Sequence, residues 1–110
     1  IGVASNSPRF VLDAALGRAG LRDAFGAVVA ADEVPVPKPA PDLYLSACRL
    51  LGVPAVRAVA LEDTATGTAA AHAAGLRVIG VPSPEAGELG ADWLLPALDD
   101  PRLLAWASSL

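Results

Sequence analysis

Ala58-Val59-Ala60-Leu61-Glu62-Asp63-Thr64 is the stretch on which the fold turns. Four apolar residues between loop signals make a buried strand, and that strand runs directly into two carboxylates. Thr64 or Thr66 then caps an Ala-rich helix that Gly75 stops. Leu76-Arg77-Val78-Ile79-Gly80-Val81 returns as a second strand. A strand, a helix and a strand in succession form a β-α-β unit, whose strands lie parallel.

The same alternation extends to both ends. Ile1 to Ala4 is a short strand that stops at Ser5-Asn6-Ser7. A helix begins near Pro8; Phe10, Val11, Ala14, Ala15 and Ala19, with Leu12 and Leu16, recur at helical spacing until Gly20. Ala27-Val28-Val29-Ala30 is the next strand. The loop after it carries Pro35, Pro37, Pro39 and Pro41, each of which disfavours helix in the residue before it. Asp42 is expected to cap a helix that Leu43, Ser46, Ala47, Leu50 and Leu51 carry to Gly52. Further on, residues 85–90 read as a loop, 92–95 as a short fifth strand and 101–107 as a last helix. The fold class is α/β: a mostly parallel sheet with helices on both faces.

Composition narrows the function. Hydrophobic residues make up 54% of the 110 and charged residues 18%, which excludes intrinsic disorder. Every apolar run is far shorter than the roughly 20 residues that span a bilayer, so no membrane partner is expected. The net charge is −4 with no basic run, so nucleic acid is not an expected partner. One cysteine excludes a disulfide framework and fits a reducing cytoplasm. The chain starts at Ile1 and has no Met, so it is expected to be a piece of something larger.

In parallel sheets ligands bind beyond the carboxyl ends of the strands, so the polar residues just after strands are the candidates. Ser5 follows a strand and precedes a helix, where a hydroxyl and free backbone N–H groups can hold an anion; the alternative is a serine capping an ordinary turn. Glu62 and Asp63 can converge at a strand end, and a hard cation such as Mg²⁺ relieves their repulsion. The alternative has one carboxylate capping the next helix and the other solvated. Lys38, between Pro37 and Pro39, sits in a stiff loop that can fix an ammonium against a phosphoryl group; the alternative is a solubilising lysine. His72 reads as a packed or surface residue, Cys48 as core, and Trp93 and Trp106 as packing anchors.

In order along the chain, Val3-Ala4-Ser5-Asn6-Ser7, Lys38-Pro39-Ala40-Pro41-Asp42, Ala60-Leu61-Glu62-Asp63-Thr64 with Gly67, and Ala73-Ala74-Gly75-Leu76 leading to Val78-Ile79-Gly80-Val81 resemble haloacid dehalogenase-like hydrolases. The likeness is to their phosphatase and β-phosphoglucomutase-like branch and spans residues 1 to about 82. It implies a Rossmann-like core and a Mg²⁺-dependent phosphohydrolase, or a phosphomutase, that forms a phosphoaspartyl intermediate on a small phosphorylated metabolite. Ser5 matches the second family motif, which binds the transferring phosphoryl oxygen, with Asn6 as its neighbour in phosphate binding. Lys38 matches the third motif, which neutralises phosphate charge and orients the nucleophile. Glu62 and Asp63 match the fourth motif, which holds Mg²⁺. Ser is commoner in the family where Thr64 stands, and Gly where Pro37 stands.

One motif is absent. The family's Asp-x-Asp-x-Thr, which supplies the aspartyl nucleophile, occurs nowhere in the chain. The resemblance therefore implies that residues 1–110 are the C-terminal part of one core domain, from its second motif onward, without the nucleophile segment and the helical cap. By itself the chain is expected not to turn over, since covalent phosphoryl transfer needs an in-line nucleophile. In the family the nucleophile strand lies between the strand ending at Ser5 and the strand ending at Glu62. A gap is expected there, filled by a missing N-terminal segment or a swapped chain, or closed by direct pairing of the two strands. The rival readings are a noncatalytic remnant that binds anions or a partner chain, and a metal-independent dehalogenase, against which the pair Glu62-Asp63 argues.

Overall fold

The turn from strand to helix after Asp63 is made by Thr64, whose Oγ1 accepts a hydrogen bond from the Gly67 N–H at 3.0 Å. Left-handed glycines end the helices on either side of this region, Gly52 at φ 70° and Gly75 at φ 94°. The computed structural model describes residues 1–109. Its elements are β1 (Gly2–Ala4), α1 (Arg9–Arg18), β2 (Ala27–Val29), α2 (Asp42–Leu51), β3 (Val59–Glu62), α3 (Ala65–Ala74), β4 (Arg77–Gly80), β5 (Trp93–Leu94) and α4 (Pro101–Ser108).

All strand pairs are parallel, but they fall into two sheets, β1-β2 and β3-β4-β5. Among the described residues no strand lies between β1 and β3, and the two do not pair with each other. The expected gap is therefore open, and closure by direct pairing does not occur. The hydrogen bonds show which groups face it. The Ser5 N–H donates to the Val29 carbonyl, and the Ala58 and Glu62 carbonyls accept from Arg77 and Val81. Alternation along each strand then turns the N–H and C=O of Gly2 and Ala4, and of Val59 and Leu61, toward the gap.

Helices cover both faces. Val78 points into a cluster with Ala60, Ala70, Ala71 and Ala74, while its neighbour Ile79 packs with Leu95 and Leu103 of the region around α4. Helix α2 holds the two sheets side by side. Its Tyr44 and Cys48 enter the cluster on β3 and α3, and its Leu43 and Ala47 pack on Val29.

Two expectations need correction, the Asp42 cap and the Trp93 anchor, and helix α1 adds a finding of its own. Asp42 is the first residue of α2 rather than its cap. Pro41 stands at the cap position, already in a helical conformation, and the Asp42 carboxylate instead accepts from the Val36 N–H at 3.3 Å. In α1 only Leu12 is buried, and Phe10 is 76% exposed. Phe10, Val11, Ala14 and Ala15 lie on the opposite half of the helix from Leu12 and Leu16, so one packed face leaves them outside. Trp93 is likewise exposed rather than an anchor, since β5 is an edge strand with both residues outward; Trp106 does pack against the Ile79 cluster.

Candidate active site

Between the two sheets lies a cleft of about 630 Å³, floored by α2 and walled by β1 and β3. Ser5, Lys38, Glu62 and Asp63 all line it. Three of them sit where strands end: Ser5 directly follows β1, Glu62 is the last residue of β3 and Asp63 directly follows it. Strand direction explains the grouping, because parallel strands deliver their carboxyl ends to one side.

Lys38 is brought in by Asn6. The Asn6 Oδ1 accepts from the Lys38 N–H at 2.8 Å, and its Nδ2 donates to the Lys38 carbonyl at 3.3 Å. Both ends of the amide are thus spent on the loop backbone. Asn6 stands where the sequence places it, next to Ser5, but its observed contacts are with the loop. Ser5 Oγ accepts from the Ser7 N–H at 3.1 Å, which leaves the hydroxyl proton to be donated elsewhere.

The Lys38 ammonium meets Glu62 Oε1 at 2.6 Å, in a pair whose side chains are 11% and 6% exposed. Tyr44 Oη donates to the same oxygen, and the ammonium lies 4.9 Å from the Tyr44 ring centroid. Burial, the hydrogen bond to Glu62, and the charges of Glu62 and Asp63 push the Tyr44 phenol well above the ordinary tyrosine range. The carboxylate of Glu62 rests on Gly67, where a Cβ would lie 1.9 Å from Oε2. Asp63 stands exposed at the same mouth.

Tyr44 is the site residue that motif reading misses. The signal was present in α2: Leu43, Tyr44, Ala47 and Cys48 form its buried face, and a buried phenol needs a polar partner. His72 lies apart from this chemistry, while Cys48 sits beside Tyr44 in the lining of the cleft. His72 is exposed and pairs with Asp92 at 2.9 Å, and the Cys48 thiol is buried, which raises its pKa.

As donors for a cation, Glu62 and Asp63 have the hard oxygens that Mg²⁺ takes. They are too few alone: among the described residues no three His, Cys, Asp or Glu side chains converge. With Glu62 Oε1 engaged by Lys38 and Tyr44 and Oε2 set against Gly67, the exposed Asp63 is the carboxylate of the pair open to a cation, and it fits part of a Mg²⁺ shell that needs further ligands. Among the described residues no helix is long and apolar enough to cross a membrane.

Residues 1–75 match the family profile of haloacid dehalogenase-like hydrolases. Hexitol phosphatase B of Escherichia coli is 44% identical over 86 residues, covering 78% of this chain and 39% of that protein. Among solved structures, a putative beta-phosphoglucomutase from Thermotoga maritima superposes with a TM-score of 0.84 at 29% identity, over 99% of this chain and 52% of that one. CbbY from Rhodobacter sphaeroides in complex with phosphate gives 0.78 at 40% identity, over 86% and 44%. The chain thus spans about two fifths of the hexitol phosphatase it matches. Profile, relatives and superposition agree with the order of the strand-end residues: the chain belongs to the haloacid dehalogenase-like hydrolases, on their phosphatase and β-phosphoglucomutase-like branch.

Proposed function

We propose that the whole protein is a Mg²⁺-dependent phosphohydrolase, or sugar-phosphate mutase, acting on a small phosphorylated metabolite through a phosphoaspartyl intermediate. The observation that carries this reading is the convergence of Ser5, Lys38, Glu62 and Asp63 on one mouth at the carboxyl ends of two parallel strands. The Ser5 hydroxyl donates to a phosphoryl oxygen. Lys38 sets a point charge against the transferring group, and Asn6 holds the loop that presents it. Mg²⁺ would be held by Asp63 together with Glu62, and when bound it neutralises charge on the phosphoryl oxygens.

The nucleophilic carboxylate is supplied from outside these 110 residues, by an extended strand seated between β1 and β3. Its source is an N-terminal segment of the same protein or a swapped copy. The chain is then the C-terminal part of one core domain, inactive by itself. A cytoplasmic setting fits the single, unpaired Cys48.

The test is hydrolysis of p-nitrophenyl phosphate in Mg²⁺ by the chain alone and by the chain joined to an N-terminal segment carrying Asp-x-Asp-x-Thr. Turnover is expected only in the second case and is lost there on adding EDTA. Turnover by the chain alone, abolished by Lys38→Ala, would mean that the nucleophile lies within it.

A further inference from the structure

Glu62 Oε1 serves two donors at once, the Lys38 ammonium at 2.6 Å and the Tyr44 phenol. An ammonium beside a carboxylate is free to slide until it bridges both oxygens, which would turn it in toward Glu62. Two contacts oppose that slide. The phenol occupies the remaining side of Oε1, and the ring lies against the ammonium at 4.9 Å. Gly67 lies against the back of the carboxylate, where any side chain would collide with it. The ammonium has three N–H bonds, and only the one on Oε1 is taken by a side-chain acceptor. The others remain for an anion in the cleft.

A tyrosine is not required for packing here. Leucine would fill the buried face of α2 without burying a hydroxyl, which costs free energy unless it is bonded.

We propose that Tyr44 is a positioning residue, which fixes the Lys38 ammonium toward the cleft by holding Glu62 Oε1 with its hydroxyl and the ammonium with its ring. The inference rests on the phosphatase reading for its consequence in turnover, but not for its geometry. Tyr44 acts through Glu62 and Lys38, the two groups it contacts.

Two substitutions separate hydroxyl from ring. In the phosphatase-competent whole protein, Tyr44→Phe is expected to lower kcat about tenfold and leave KM within about twofold, because a hydrogen bond to a charged group is lost while the anion still binds. Tyr44→Leu is expected to lower kcat about a hundredfold. On the 110-residue chain, NMR should place the Lys38 ε-methylene protons upfield through the ring current, retained in Tyr44→Phe and lost in Tyr44→Leu. An unchanged kcat in Tyr44→Phe, a loss carried wholly by KM, or absence of the upfield shift in the unsubstituted chain would each overturn the proposal. Should the unsubstituted whole protein fail to hydrolyse phosphomonoesters, the phosphatase reading falls, and the NMR comparison still decides for or against Tyr44.

Discussion

Asn6 grips the backbone of Lys38 from 32 residues away, accepting from its N–H and donating to its carbonyl. The loop between β2 and α2 is therefore fastened to the turn after β1, and the lysine cannot drift from the serine. Its consequence can be measured, as can those of three other features.

Asn6→Ala removes both hydrogen bonds at an exposed place. It is expected to lower stability by about 1 kcal/mol, read as a shift in the urea midpoint. In the whole protein turnover should fall by about tenfold or more, since misplacing a catalytic charge costs more than the lost bonds do. An unchanged rate would mean that the prolines alone hold the loop.

Gly67→Ala sets a methyl group 1.9 Å from the Glu62 carboxylate. The expected cost is about 1–3 kcal/mol, as for overpacking a tight interior site. Gly87→Ala is the control. Nothing lies within 4 Å of its added Cβ, so the change should stay within about 0.5 kcal/mol. Equal midpoints for the two variants would show that Glu62 can yield.

Tyr44 is the one tyrosine in the chain, so absorbance near 295 nm reads it alone. Its pKa is raised in the folded state, chiefly by burial and then by Glu62. The sign follows from linkage: the folded chain binds the phenolic proton more tightly than the unfolded one. The stability this contributes is complete below the unfolded value near ~10 and declines as pH rises above it. Ionisation at 295 nm should therefore coincide with loss of the far-ultraviolet helix signal in alkali. A phenol that titrates at its ordinary value in a still-folded chain would contradict the buried hydrogen bond.

The open gap has its own signature in hydrogen exchange. The amides of Gly2, Ala4, Val59 and Leu61 face it, whereas Val3 and Ala60 face paired strands. In the chain alone the first four should exchange much faster than the other two. Supplying the N-terminal strand segment should slow those four selectively. Uniform protection without it would mean that the two sheets close on each other.

The alternation of strands and helices was legible because each element carries its own period and stop residues. Gly52 and Gly75 end helices where the sequence places the stops, and Thr64 caps where a cap was expected. The site residues that follow strands were legible for a topological reason, since parallel strands deliver their ends together. What escaped depends on partners distant in sequence. Tyr44 is one of several apolar-looking positions in α2 until Glu62 is placed beside it. Which half of α1 packs was equally invisible, because Phe10 and Leu12 are both apolar and only tertiary contact chooses between them.

Helix α2 sends adjacent side chains to different sheets, Leu43 to one and Tyr44 to the other, then Ala47 and Cys48 in the same way. Successive helical residues diverge by about 100°, so one helix packs on two blocks that share no strand ladder. The span of the mouth is therefore set by side-chain packing on one helix and by the Lys38–Glu62 pair, not by a shared backbone ladder. Ser5 rides on one block and Glu62 on the other. A segment seated in the cleft would thereby tie the two blocks together through its own backbone, as no residue pair of β1 and β3 does.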